Sequence, residues 1–171
     1  MTKTGEWIRL VADKSGDSIH RDTATLIPLG SVIEATFERA PLKNQTENVI
    51  LKNFAVTKDS RAQYLQSIQR VNETGIFGNT GNQLSILEMR ATAGTLRLID
   101  VTNLATYRQP GENCKTKFVY QGHEYGKMSL TAPDYYAAPG NERRIGNAYI
   151  VVSISEKPPH HKFVAAIYPH K

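Results

Sequence analysis

Cysteine is almost missing from this chain: of 171 residues only Cys114 carries a thiol. A single thiol closes no internal disulfide, and no cysteine cluster exists to hold zinc. That usage fits a reducing compartment. The histidines do not replace it as ligands, because the adjacent His160 and His161 would point to opposite faces of a strand. Long apolar runs are also lacking. None approaches the roughly 20 residues that a membrane helix requires, so no membrane partner is expected. Residues 1–7 contain no apolar stretch of the signal-peptide kind, which makes a cytoplasmic location the expectation. Catalytic signatures are absent too. There is no Gly-x-Ser-x-Gly, no P-loop and no Gly-x-Gly-x-x-Gly, and the carboxylates are dispersed. The chain reads as a binding protein rather than an enzyme, with no cofactor and no metal.

What is present is basic and strand-forming. Net charge is +5 with a sequence pI of about 9.3, a balance suited to a polyanionic partner, of which nucleic acid is the commonest. Short runs of Val, Ile, Thr and Tyr favour strands. Trp7 to Val11 is a first strand, and residues 13–28 read as a long polar loop. From Ser31 to Arg39, Ile33, Ala35 and Phe37 alternate with Glu34, Thr36 and Glu38, the pattern of a half-buried strand. Residues 48–56 form the next. One helix is expected over about residues 60–74, where Tyr64, Leu65, Ile68 and Val71 make an apolar stripe and Gly75 stops it. Leu84 to Ala91 fits a strand or a short helix, and strand is the preferred reading.

Beyond residue 93 the pattern gives five strands, over 95–101, 115–120, 124–132, 147–154 and 162–168. A hairpin turn at 121–123 joins the second and third, and an irregular segment with one helical turn near Asp134 separates the third from the fourth. That is the order of elements in an OB-fold, a five-stranded barrel, although a generic five-stranded meander has the same order. The expected fold is mainly β with one helix. It comprises an N-terminal OB-like domain over 1–93 and a C-terminal OB-like barrel over 94–171.

OB barrels hold single strands by stacking bases on rings while cations follow the phosphates. The first candidate surface is Lys115, Lys117, Tyr120, Tyr125 and Lys127 on the middle hairpin. Alternation puts Lys115 and Lys117 on the face opposite Phe118 and Tyr120, so the rings could equally belong to the core. The second is Tyr135 and Tyr136 with Arg143 and Arg144, either a clamp for base and phosphate or a packed plug beside a charged loop. The third is the long polar loop with Lys14 and Arg21. The fourth is Gln45, Glu47 and Asn48 with nearby Arg39 and Lys43. Their amides and carboxylate could read a base edge or satisfy backbone groups at a turn.

Several segments resemble one prokaryotic family of dual OB-domain proteins. Trp7-Ile8-Arg9-Leu10-Val11 is similar to that family's Trp-Ile-Arg-Pro-Val segment. Gln45-Thr46-Glu47-Asn48 resembles its Gln-x-Glu-Asn motif. Tyr149 to Ile154 followed by Lys162 to Ile167 looks like its closing pair of strands. The resemblance implies two fused OB-folds, occurrence in prokaryotes and their mobile elements, and nucleic-acid binding. Usual members also carry a Ser-Arg-Lys stretch and a Gly-Arg-Cys motif on an earlier strand. Neither precedes Trp7 here, so the expectation is a first barrel that is incomplete or closed differently. The expected function is binding of single-stranded or irregular nucleic acid. The alternatives are an adaptor or inhibitor that engages a host protein, and a sensor of nucleotides or small ligands in a pocket between the halves.

Overall fold

In the computed structural model of the chain, residues 2, 6, 8–17, 19–27, 31–57 and 73–170 are described. The expected helix over about 60–74 lies outside them except for its last two residues, and so does Trp7. The chain forms two compact units, Met1–Gln69 and Arg70–Lys171. Residues 73–93, which the sequence pattern groups with the first domain, pack within the second.

In the first unit, β1 (Arg9–Val11), β2 (Val32–Arg39) and β3 (Asn48–Thr57) form a sheet in the order β1-β3-β2. β1 runs parallel to β3, and β2 is antiparallel to it. The alternation predicted for β2 holds up to Thr36. There the register shifts, with Thr36 opposite Asn53 and Phe37 opposite Leu51. The irregularity inverts the phase of the last residues of the strand, so Phe37 is exposed and Glu38 half-buried. The polar stretch 13–28, expected as loop throughout, contains the short helix α1 (Arg21–Thr25).

The second unit is built on β5 (Leu96–Tyr107), β6 (Lys115–Tyr120), β7 (His123–Leu130), β8 (Glu142–Ile154) and β9 (His160–Pro169). They pair in the order β5-β6-β7-β9-β8, and β8 returns to β5, which closes a five-stranded barrel. The contact of β7 with β9 is parallel and the other barrel pairings are antiparallel. β6 and β7 are joined through Gln121 (φ 52°) and Gly122 (φ 76°), the doubly left-handed pair that matches strand twist in a two-residue hairpin. β5 and β8 are longer than the sequence pattern suggests. β8 coils around the barrel at Gly146, whose φ of +91° falls beside the register shifts around Leu104. A side chain there would strain the bend.

Inward residues fill the barrel, among them Val101, Leu104, Phe118, Tyr125, Met128, Ile150, Val152 and Val164. Two plugs complete the core. One is the 3-10 turn Pro133–Tyr135, with Ala132 and Ala137 buried on either side. The other comes from 73–91 and contributes Ile76, Phe77, Leu84 and Met89. Its chain pairs through β4 (Gln83–Leu84) with β9 and then forms α2 (Ile86–Ala91). Leu84 to Ala91 is therefore a two-residue strand and a helix, not the single strand expected. The reason is local: Ser85 accepts from the Glu88 amide while the Glu88 carboxylate accepts from the Ser85 amide, a capping box that starts a helix.

Polar anchors hold this plug. Lys162 is only 1% exposed, and its ammonium donates to the Asn79 carbonyl at 3.0 Å and to Asn79 Oδ1. Asn79 Nδ2 donates to Glu88 at 2.8 Å. Arg97 donates through Nε to Glu73 at 2.7 Å and lies over the Phe77 ring. Burial pushes the Lys162 ammonium down to about 8, against the opposing pull of Glu88 and Glu73.

Both the buried ammonium and the tight Gly16 turn have measurable consequences. Because Lys162 titrates near 8 when folded and near 10.5 when unfolded, the unfolded chain binds the extra proton within that window. Stability therefore rises as pH climbs through it, at most by about 1.4 kcal/mol per pH unit. Burial raises the Tyr120 and Tyr125 phenols above their ordinary 10.0, which acts in the opposite direction from the top of that window upward. Urea midpoints across the window should show the rise, and Lys162→Met should flatten it; an unchanged slope in the variant would remove Lys162 as its source. In the first unit, Gly16 has φ +84°, and a Cβ there would sit 2.5 Å from Leu42 Cδ1. Gly16→Ala should cost about 1–3 kcal/mol in urea unfolding, and an unaltered midpoint would show that the loop gives way.

Candidate nucleic-acid interface

Two of the barrel's bulges decide what its outer face presents near Lys117. Between Thr116↔Met128 and Phe118↔Tyr125, β6 has one residue, Lys117, where β7 has two, Gly126 and Lys127. Lys127 takes φ 59°. The extra residue keeps Tyr125 and Met128 both inward and leaves Lys127 outside, across from Lys117. On the other side of Lys117, β5 bulges between Thr102 and Ala105, with Asn103 at φ 54°. An open groove of about 940 Å³ lies over this region of β5, β6 and β7. Lys117, Lys127 and Arg108 line it as cations, Tyr107 as a half-buried ring, and Asn103, Gln109 and Asn141 as amides. Glu124 and Glu142 are its acids.

Glu142 is bound within this groove. Its carboxylate accepts from Lys117 and meets Arg144 Nε at 3.4 Å. The Lys117 hydrogen bond, ahead of the weaker Arg144 contribution, holds this carboxyl below the usual carboxylate range. Any other anion approaching Lys117 competes with it.

The structure brings Lys117 and Lys127 together, and Lys115 lies two residues along β6 on the same outer face. Lys115 donates to Ser129 Oγ at 3.1 Å. The two tyrosines expected beside these lysines are buried. Tyr125 is 2% exposed and stacks on Phe118 at 5.3 Å between centroids, and Tyr120 is buried beside it. Alternation along β6 sends Tyr120 inward and the β7 bulge leaves Tyr125 inward, so neither offers a face to a base. Tyr135 and Tyr136 part company. Tyr135 packs on the core under the Arg143 guanidinium, 5.2 Å from its ring, while Arg143 donates to the Asp134 carbonyl at 2.7 Å. The cation of that supposed clamp thus already covers its own ring. Tyr136 and Arg144 are exposed.

The remaining candidates belong to the first unit. Gln45, Glu47 and Asn48 are buried. Asn48 Nδ2 donates to Gln45 Oε1 at 3.2 Å, the Gln45 and Leu42 backbones bond reciprocally at 3.1 Å, and Glu47 meets Arg9 at 3.6 Å. Burial pulls the Arg9 guanidinium down, and Glu47 opposes it. The motif serves as a turn lock between β2 and β3 rather than as an open reader of base edges. Lys14 pairs with Glu38 at 3.2 Å, Arg39 pairs with Glu6, and Lys43 is exposed in the turn. Arg21 begins α1, and its side chain lies outside the described residues.

Tyr107, Arg108 and the three amides escaped the sequence reading because the pattern ended β5 at Val101. The strand continues through its bulge to Tyr107, and a ring followed by a cation at the start of the 108–114 loop was the available signal. Among the described residues, no group of three or more His, Cys, Asp or Glu is placed to hold a metal ion, and no helix is long and apolar enough to cross a membrane.

Comparison with known proteins agrees with this architecture. No curated protein and no solved structure matches the chain. A family model described as a dual OB-containing domain matches residues 1–167. A mainly β chain, with one closed five-stranded barrel and a second sheet, is consistent with two OB-like domains. The chain belongs to the dual OB-containing domain family.

Proposed function

We propose that the second unit binds single-stranded or irregular nucleic acid in the groove over β5, β6 and β7, and that it does so without catalysis. The observation that carries this reading is the placement of Lys117 opposite the Gly126–Lys127 bulge, with Arg108 and the Tyr107 ring in the same groove. The cations meet phosphates and release their counterions. Tyr107 offers the one ring of the groove that is partly open to a base. The amides of Asn103, Gln109 and Asn141 suit base edges or sugar hydroxyls. Glu142 tunes the site, because a phosphate must displace it from Lys117.

Fluorescence anisotropy with a labelled single strand tests the reading at about 50 mM salt, where phosphate contacts are strong. Binding should weaken with salt. Lys117→Ala should lower affinity and flatten the log–log salt slope by about 0.7, the value for one phosphate contact to a single strand. Glu142→Gln should do the reverse and tighten binding by freeing Lys117 and Arg144. Undetectable binding of the unaltered protein would end the proposal. Thermal stabilisation by mononucleotides without oligonucleotide binding would replace it with a nucleotide sensor.

A further inference from the structure

A second groove, of about 490 Å³, adjoins the first at a shared lining residue. Both are lined by Lys127. Beyond that residue the second is bounded by Lys115, Ser129, His161 and Gln83 among others, and its lining contains no carboxylate. The contrast with the first groove is chemical. There, two acids stand against three cations and one acid is bound to Lys117. Here Lys115 and Lys127 face only amides, hydroxyls, an imidazole and the Phe163 ring. Lys162 is not counted among the available cations, since its ammonium is committed to Asn79.

The second groove is also fixed in place. Lys115 is steadied by Ser129 Oγ at 3.1 Å. Asn82 Nδ2 donates to the Gly126 carbonyl at 2.7 Å and so ties the β4 segment to the bulge that aims Lys127. The β4–β9 pairing sets Gln83 opposite His161. A polyanion that crosses the first groove and reaches Lys127 therefore meets a ready-made continuation, free of competing carboxylates.

We infer that this second groove takes the next phosphodiester units of the same strand, so that the ligand is a polymer spanning both grooves rather than a single nucleotide. The inference rests on the nucleic-acid reading of the first groove. Its signature is dependence on length. A strand of about four nucleotides fills one groove, whereas one of about twelve reaches across both. Lys115→Gln and His161→Gln should weaken binding of the longer oligothymidine by about threefold or more, and Lys115→Gln should flatten its salt slope by about 0.7. The same variants should leave the shorter strand's affinity unchanged. Lys115→Arg, which keeps the charge, should restore the longer strand's affinity, and equal thermal midpoints would establish that the variants fold.

Lys117→Ala separates the two readings, because it should weaken both lengths. If Lys117→Ala acts and the Lys115 and His161 variants do not, or if these variants affect both lengths equally, the second groove is no extension and the first-groove reading stands. If the Lys115 variant acts on the long strand while Lys117→Ala is silent, the first-groove reading fails and the second groove is the site. Absence of binding at either length overturns both.

Discussion

Closure of the barrel through β8 is the constraint on which the site depends. β8 bonds along β5 over most of its length and along β9 from Ala148 to Ile154. β9 in turn meets β7 only at Ser129↔Phe163 and Leu130↔Val164. A closed sheet has no free edge at these strands and a definite inside. Once inside and outside are distinct, each one-residue irregularity has a large consequence, because it moves a side chain from core to solvent. The bulge opposite Lys117 is such a case: Tyr125 and Met128 stay within, and Lys127 is delivered to the surface next to a second lysine.

The plug from 73–91 links the stability of the barrel to the shape of that surface. It places apolar residues at the barrel core and brings charged partners with them. Lys162 is buried beneath Asn79, and Arg97 lies between Glu73 and Phe77. Buried charges of this kind are costly unless fully bonded. The bonding here keeps the segment in one position. Asn82, in the same segment, holds the carbonyl of Gly126, so the anchor that closes the core also braces the bulge of the groove. The Gln45–Asn48 turn lock has the corresponding role in the first unit: it joins β2 to β3 and supports the Gly16 loop through buried amides.

Much of this architecture was legible in the chain. Period-two alternation located most strands of both units, the Gln121-Gly122-His123 stretch marked the hairpin, and the order of elements after residue 93 matched an OB-fold without separating it from a meander. Where the reading failed, a local feature broke the two-residue period on which it relied. Ser85 and Glu88 spelled a capping box, yet the apolar run around them read as a strand. β5 ended too early because its bulge interrupts the alternation. With it went Tyr107 and Arg108, which line the groove and are more exposed there than the buried Tyr125.

The sequence by itself determined which residues alternate, where turns fall, and that Lys115 and Lys117 lie opposite Phe118 and Tyr120, since these depend only on the two-residue period of an extended chain. It could not determine which side of that alternation becomes the core or which distant residues share a groove. Those were decided only when β8 and β9 closed the sheet, because the apolar face must then be buried within. Closure and the bulges together set Lys117, Lys127 and Arg108 around one concavity, although their separations in the chain bear no relation to their proximity in space.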